Sequence, residues 1–229
     1  MNHWTESLNS GYATDIIYFD FKKAFDSVPH CRLLHKLKSY GISGNLLSWL
    51  NSFVTGRLQR VTLNNVYSKW SNVVSGVPQG LVLGPILFLI YINDIPTVVD
   101  SHLLLFADDI KLYRKIQSEN DIVQLQEDIN NLLNWSNTWL LDFNIPKWKV
   151  LRIGTSTLPQ NCTLNGTPLD SVQDMRDLGI TIDSQLKFHS HSSHIVSKAN
   201  CLLGLIRKSL RILPFKHCRY YTSHWLVLL

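Results

Sequence analysis

Two short apolar stretches of the sequence end in aspartates, and this pattern limits what the chain can fold into. Residues 15–20 read DIIYFD, and the apolar residues 103–107 run directly into Asp108 and Asp109. Both stretches are typical of buried β-strands. Like charges repel and a desolvated carboxylate is costly, so clustered acids at strand ends indicate a bound cation. If the two strands are neighbours, Asp20 and Asp108 meet at one edge of a sheet and form a site for hard divalent cations.

The Asp108-Asp109 pair alone has a simpler interpretation, because aspartates are common in polar turns. The loop at residues 76–80 (GVPQG), which lies between the two apolar strands, favours a functional site over a simple turn. Two Mg²⁺ ions about 4 Å apart can activate an attacking hydroxyl and stabilise the leaving oxygen of a phosphoryl transfer. A two-metal phosphotransferase or nuclease of another family would use the same carboxylates.

The order of elements predicts an α+β fold with few strands and several covering helices. Helices are predicted over residues 30–40, 46–54, 82–99, 122–140 and 194–213, and a hairpin is predicted to turn at Asn64-Asn65. Further short strands are predicted at residues 150–153, 162–164, 172–175 and 178–182.

The positive charge of the chain is concentrated near its C-terminal end. The 229 residues carry a net charge of +5, and residues 184–229 contain seven Lys or Arg and no acid. A polyanion partner and a solvated helix face explain this segment equally well. The longest apolar run, residues 81–92, is shorter than the ~20 residues that span a bilayer. No N-terminal signal pattern is found, so we expect an intracellular protein without a membrane partner.

Five motifs in order resemble the reverse transcriptases of non-LTR (LINE-type) retrotransposons, of the jockey or CR1-like kind. They are motif A at 18–26 (YFDFKKAFD), B at 75–85 (SGVPQGLVLGP), C at 106–109 (FADD), D at 143–147 (FNIPK) and E at 177–183 (DLGITID). The resemblance implies a right-hand polymerase palm, a short antiparallel sheet covered by helices, over residues 1–183. The start of a basic, truncated thumb would occupy residues 184–229. Because Asp20 lies so close to Met1, we expect the fingers to be largely missing.

The resemblance also implies roles for the residues around the carboxylates. Asp20 and Asp108 would hold two Mg²⁺ ions, or Mn²⁺, with the backbone carbonyl of Phe21 as an extra ligand. Asp109 would support the site less directly. Lys147 would approach the leaving pyrophosphate, although an ordinary surface lysine is an equally good interpretation.

Substrate contacts are implied for four further groups of residues. Phe25 would lie under the nucleotide sugar and select deoxynucleotides, or would simply belong to the core. Gln79 and Gly80 would lie beside the template base pair, and Leu178 and Gly179 would begin the hairpin that grips the primer end. Basic residues of the thumb would contact the nucleic-acid backbone: Lys187, Lys198, Arg207, Lys208 and Arg211.

The implied activity is RNA-directed DNA synthesis, with an RNA template, a DNA primer and dNTPs. Three residues depart from the family pattern: Leu81 and Trp148 stand where small residues are expected, and Ile110 replaces a common threonine. None of these changes removes a metal ligand. With the fingers missing, we expect weak or no activity from this chain alone. The alternative is an inactive retroelement remnant that acts at most as a nucleic-acid-binding or interaction module.

Overall fold

A computed structural model of the chain describes residues 2–164 and 166–212, which divide into two compact units, 2–173 and 174–212. The helices of the first unit are α1 (Asn2–Asn9), α2 (Ala24–Ser27), α3 (His30–Ser39), α4 (Gly44–Val54), α5 (Leu83–Ile92) and α6 (Glu119–Trp139), with 3₁₀ turns at Ile95–Val98 and Ile145–Lys147. Its strands are β1 (Ala13–Asp20), β2 (Leu58–Gln59), β3 (Thr62–Leu63), β4 (Val66–Tyr67), β5 (Ser71–Asn72), β6 (His102–Phe106), β7 (Asp109–Ile116), β8 (Lys149–Ile153), β9 (Thr163–Leu164), β10 (Thr167–Pro168) and β11 (Asp170–Val172). The second unit contains β12 (Asp174–Asp177), β13 (Ile180–Asp183) and α7 (His189–Ile212).

The main sheet of the first unit has five strands in the order β11-β8-β1-β7-β6. All neighbouring pairs are antiparallel except β11 and β8. Strand β1 lies at the centre, and every residue from Ala13 to Phe19 is buried. Its apolar run is therefore explained by burial on both faces. The predicted α+β class, with a short, mainly antiparallel sheet and covering helices, is confirmed.

Helix α6 covers the sheet through a stripe of apolar residues at helical spacing. Leu125, Ile129 and Leu132 are fully buried in the core that includes the central strands. Burying each such side chain contributes about 1.5–3 kcal/mol. The helix begins with a capping box, in which the Ser118 side chain and the Asp121 carboxylate each accept a backbone N–H. No helix in the described ranges is long and apolar enough to cross a bilayer.

A buried ion pair joins the central strand β1 to β8. Asp15 and Arg152 face each other directly in the register, and Asp15 is 1% exposed. The Nε and Nη2 atoms of Arg152 donate to the two carboxylate oxygens of Asp15, each at 2.7 Å. The Arg152 Nη1 atom also donates to the Leu158 carbonyl at 2.6 Å. This bidentate geometry satisfies a carboxylate that would otherwise be costly to bury.

Helix α5 ends at Ile92, so the prediction of one helix over 82–99 is wrong. The Asp94 carboxylate accepts hydrogen bonds from Lys36 Nζ at 2.5 Å and from Trp135 Nε1 at 3.1 Å, which holds residue 94 at the junction of three helices. Pro96 follows and cannot donate a backbone hydrogen bond to Ile92, so the chain continues as a 3₁₀ turn.

Lys36 itself is enclosed by aromatic rings and is 3% exposed. Its Nζ atom lies 3.7 Å from the ring centre of Trp139 and 4.8 Å from that of Tyr91. Burial lowers the pKa of Lys36 below its usual value, against the opposing effect of the Asp94 carboxylate. The charged group is stabilised by the Asp94 carboxylate and by the faces of the rings. Nothing in the sequence pattern pointed to this lysine.

The second unit differs from the prediction in two places. A single strand was expected over residues 172–175, but the chain forms β11 and β12 on either side of Gln173. The hairpin expected to begin at Leu178 in fact begins at Asp174, and Leu178 and Gly179 form its two-residue turn with φ of 46° and 88°. Two positive φ angles are typical of a type I′ hairpin turn, which accounts for the glycine.

Candidate active site

The ends of β1 and β7 bring the predicted carboxylates together at one edge of the main sheet. Asp20 is the last residue of β1 and is the register partner of Asp109, the first residue of β7. Asp109 also faces Phe106 across the β6–β7 hairpin, so Ala107 and Asp108 form the turn. Ala107 has φ of 51°, a left-handed conformation that costs an L-residue about 1–2 kcal/mol. Such strain is concentrated at functional sites.

Lys147, in the 3₁₀ turn before β8, reaches the same edge. Its Nζ atom donates to Asp20 Oδ2 at 2.6 Å, and the lysine side chain is two-thirds exposed. The hydrogen bond to Asp20 raises the pKa of Lys147, and the charges of Asp20 and Asp108 raise it further. The ammonium group therefore interacts electrostatically with both Asp20 and Asp108. Within the described ranges, no three His, Cys, Asp or Glu side chains cluster closely enough to hold a metal ion.

The segment before Lys147 is fixed to the end of β1 by hydrogen bonds. The backbone N–H of Asn144 donates to the Asp20 carbonyl at 2.7 Å, and its side-chain Nδ2 donates to Asp20 Oδ2 at 3.3 Å. Phe21 and Phe143 form an isolated antiparallel bridge and stack with ring centres 4.7 Å apart. Asn144 was not among the predicted site residues, although it lies inside the FNIPK motif that could have pointed to it.

Trp148 fills the core directly behind this segment and is 1% exposed. Its ring packs edge-on against Phe19 at 4.3 Å and Phe143 at 5.1 Å. The large residue at this position is therefore accommodated within the core, behind the segment that carries Lys147. Ile110, another departure, is also buried, whereas Leu81 is more than half exposed.

The glycine-rich loop packs against the chain that follows Asp20. The backbone N–H of Gly76 donates to the Val28 carbonyl, and that of Val77 donates to the Phe25 carbonyl, both at 2.8 Å. A Cβ atom at Gly76 would lie 2.7 Å from Asp26 Cα, so only glycine fits this approach. The loop is thereby positioned by the motif A segment.

An open cleft of about 470 Å³ lies beside this loop. Gln79 lines it and donates from Nε2 to Asp26 Oδ1 at 3.1 Å. Arg57 also lines the cleft and donates from Nη2 to the Gly76 carbonyl at 2.7 Å. Gly80 follows with φ of 81°. Sequence reasoning missed Arg57 and Asp26, since neither carries a signal that identifies its long-range partner.

Phe25 is half-buried and packs on Phe88 of α5, with ring centres 4.6 Å apart. It is therefore attached to the core, while part of its ring remains accessible.

The residues predicted to contact nucleic acid through the hairpin and thumb lie in the second unit. Leu178 and Gly179 form the hairpin turn, and Leu178 is 53% exposed. Four basic side chains are exposed: Lys187, which precedes α7, and Lys198, Arg207 and Lys208, which lie on it. Arg211 belongs to the same helix, but its side chain lies outside the described part of the structure.

Sequence comparisons give relatives of one kind. The chain is 29% identical over 229 aligned residues to the RNA-directed DNA polymerase from mobile element jockey of Drosophila funebris, covering 91% of this chain and 24% of that protein. It is 30% identical over 209 residues to a probable RNA-directed DNA polymerase from transposon BS of Drosophila melanogaster, covering 82% of this chain and 22% of the relative. The chain thus spans about a quarter of the length of these curated relatives.

The fold is also found in a solved structure, the apo telomerase of Candida tropicalis truncated from its C-terminal domain. The TM-score is 0.56 over 82% of this chain and 38% of that one, at 15% sequence identity, so the likeness concerns the fold alone. The family profile described as reverse transcriptase (RNA-dependent DNA polymerase) matches residues 4–191. The chain therefore belongs to the reverse transcriptase family, and its similarity within that family is to polymerases of non-LTR retrotransposons.

Proposed function

We propose that this chain is the palm, with the start of a thumb, of an RNA-directed DNA polymerase that adds dNTPs to a primer 3′-hydroxyl on an RNA template. The observation that carries the proposal is the register of Asp20 opposite Asp109, with Asp108 in the adjoining turn. Together these residues place acidic groups from two strands and one turn at a single exposed edge. The palm is proposed for residues 1–183 and the thumb for residues 184–229.

The donor set at this edge fits divalent cations of the Mg²⁺ class. Mg²⁺ is usually held by one or two carboxylates together with substrate phosphates and waters, rather than by an all-protein cage. Asp20 and Asp108 would supply the carboxylates and Phe21 a backbone carbonyl oxygen. Two bound Mg²⁺ or Mn²⁺ ions would lower the pKa of the attacking hydroxyl and neutralise charge on the triphosphate.

Lys147 and Asp20 would then exchange partners when substrate arrives. The lysine now donates to Asp20 Oδ2, one of the two carboxylate oxygens that could bind a cation. A cation at Asp20 would release the exposed ammonium group, which can approach the phosphates of the nucleotide. There it would stabilise negative charge developing on the leaving pyrophosphate or donate a proton to it. Asp109, which faces Asp20 in the register, would belong to the same catalytic and metal-binding carboxylates and would support the site less directly.

The cleft beside the glycine-rich loop is proposed as the binding site for the nucleotide and the template base. Gln79 lines this cleft, and Gly80, which follows it, has no Cβ atom to hinder the backbone from approaching a base pair. The half-buried ring of Phe25 would contact the sugar and exclude a 2′-hydroxyl. In the second unit, the Leu178-Gly179 turn would contact the primer. The exposed Lys187, Lys198, Arg207 and Lys208, together with Arg211, would bind phosphates without reading sequence.

Primer extension on poly(rA)/oligo(dT), with Mg²⁺ and separately with Mn²⁺, tests this proposal. The full chain is compared with Asp108→Asn and with Asp100→Asn, which alters an exposed carboxylate outside the site. We expect slow extension by the wild type and by Asp100→Asn, and a loss of at least about 100-fold for Asp108→Asn, as for the removal of other transition-state charge stabilisers. Extension that survives Asp108→Asn would contradict the assignment of the carboxylates. A folded wild-type chain with no extension under either metal would favour the inactive remnant.

A further inference from the structure

A two-stranded ribbon at residues 57–74 projects its side chains into solvent. Strands β2 and β5 form its base, and β3 and β4 form its tip around the Asn64-Asn65 turn. Both asparagines have positive φ, at 47° and 64°, as a type I′ turn requires. Between base and tip the register shifts by one residue, which indicates a bulge near Ser68–Trp70. The proposed catalytic residues do not include any residue of this ribbon.

One face of the ribbon carries a stack of one cation and two aromatic rings. The guanidinium carbon of Arg60 lies 4.1 Å from the ring centre of Tyr67 and 4.5 Å from that of Trp70. Tyr67 is 55% exposed and Trp70 is 58% exposed. Arg60 covers part of each ring, and substantial aromatic surface remains accessible. Large amphipathic rings held in place at low entropic cost are typical of recognition surfaces.

The opposite face differs in chemistry. Residues alternate between the two faces of a strand, so Val61, Leu63 and Val66 lie on the side away from the stack. Each is more than 70% exposed. This aliphatic face offers no ring and no charge, and it provides matched positions for control substitutions.

The charge of the ribbon favours a polyanion over an apolar protein surface. Residues 57–74 contain Arg57, Arg60 and Lys69 and no aspartate or glutamate. Arginine stacked on aromatic rings keeps hydrogen-bond donors at its edge, where they can bind phosphate. Basic groups interleaved with exposed rings are the combination used to bind single-stranded nucleic acid, in which unpaired bases stack on the rings.

The base of the ribbon also forms part of the cleft described above. Arg57, Leu58 and Gln59 line that cleft together with Gln79 of the glycine-rich loop. A nucleic-acid strand that leaves the cleft on this side would therefore contact the ribbon. Bases in a duplex are stacked on each other and cannot also stack on the rings of Tyr67 and Trp70. We therefore expect these rings to bind an unpaired nucleic-acid strand.

From these observations we infer that the Tyr67–Trp70 face binds the unpaired part of the template strand by base stacking, with Arg57, Arg60 and Lys69 neutralising its phosphates. The inference rests on the proposed function for the identity of the strand as template. Binding itself requires neither catalysis nor metal.

The test measures binding of a fluorescein-labelled 12-nucleotide oligo(rU) to the full chain by fluorescence anisotropy in EDTA at fixed salt. The variants are Tyr67→Ala/Trp70→Ala and the control Val61→Ala/Val66→Ala on the opposite face. Loss of a stacking ring raises the dissociation constant of single strands about 5- to 150-fold per base. We expect at least a 5-fold increase for the aromatic variant and less than a 2-fold change for the control. A blunt RNA–DNA duplex should bind both variants as it binds the wild type.

Three outcomes would overturn the inference. They are equal oligo(rU) affinity for the wild type and the aromatic variant, no binding by the wild type, and a concentration-dependent dimer that either ribbon variant abolishes in light scattering. The last result would identify the ribbon as an interface between copies of the chain. Circular dichroism melting of each variant separates these outcomes from loss of folding. Because the assay contains no dNTP or metal, it can fail while Asp108-dependent extension succeeds, and the reverse.

Discussion

Gly84, in the first turn of α5, is the position where the structure makes its sharpest prediction about stability. A Cβ atom at this residue would lie 1.8 Å from the Pro78 carbonyl oxygen and 2.9 Å from the Pro78 carbonyl carbon. Both atoms belong to the backbone of the loop that carries Gln79. A Gly84→Ala substitution therefore cannot be accommodated by rotating a side chain.

The expected size of the effect follows from these distances. Real Cβ atoms essentially never approach other heavy atoms more closely than 3.0 Å, so helix and loop must separate by more than 1 Å at this point. Overpacking of this kind costs about 1–3 kcal/mol. In a chain of this size each kcal/mol lowers the melting temperature by roughly 2–4 °C, which gives a decrease of about 2–12 °C. In an unobstructed helix, replacing glycine by alanine stabilises the protein by up to about 1 kcal/mol. The clash with Pro78 is therefore expected to turn a stabilising substitution into a destabilising one.

Thermal unfolding followed by circular dichroism measures this effect. Gly204→Ala, in α7, is the matched control because, among the described residues, no atom outside its own helix lies within 4 Å of the new Cβ. We expect the control to melt at or above the wild-type temperature and Gly84→Ala to melt below it. If Gly84→Ala is as stable as the wild type, the close packing of α5 on the loop is refuted.

Two further substitutions test electrostatic features of the first unit. Lys147→Gln removes the ammonium group that competes for Asp20, so Mn²⁺ binding without nucleotide, measured by electron paramagnetic resonance, should tighten roughly two- to fivefold, whereas Lys149→Gln should leave it unchanged. Asp121→Asn should cost about 1 kcal/mol at pH 7. Burial would raise the pKa of Asp121, but hydrogen bonds from Gln117 and Ser118 hold it below 3.8. This contribution to stability is complete above pH 3.8 and is lost as the pH falls through the lower, folded-state pKa. In chemical denaturation, the difference in free energy of unfolding between Asp121→Asn and the wild type should therefore shrink below pH 3.8. A difference that stays constant with pH would contradict the role of the Asp121 charge.

The elements that the sequence predicted best are those with a strong local signal. The DIIYFD run became the central strand, since a strand buried on both faces needs consecutive apolar residues. The Asn64-Asn65 pair formed the expected turn because asparagine tolerates positive φ. Asp20 and the Asp108-Asp109 pair do lie at one edge of the sheet. The predicted buried strand over 103–107 is not the neighbour of β1, however, because β7 lies between β1 and β6 and β6 is a partly exposed edge strand.

Features that depend on distant contacts were not predictable from local patterns. Lys36 looks like an ordinary helical lysine, and only the packing of α5 and α6 around it encloses it. Arg57 donates to the Gly76 carbonyl, 19 residues away in the sequence, and no spacing rule connects the two residues. The end of α5 was missed for a related reason. The apolar run ends at Ile92, but Ile95, Val98 and Val99 add further apolar residues beyond Asn93 and Asp94, so the end of the helix was not recognised. The Asp94 interactions with Lys36 and Trp135 hold the chain at this point.

The buried Asp15–Arg152 pair has a consequence at the opposite end of the same strand. If β1 slipped by two residues against β8, its apolar faces would still point correctly, and hydrophobic burial alone would not resist the error. Such a slip would leave a desolvated carboxylate without its partner, at a cost of about 3–5 kcal/mol. Asp20 lies five residues further along, about 17 Å from Asp15 in an extended strand. The ion pair thus fixes the register of β1 against β8, and with it the position of Asp20 relative to Lys147.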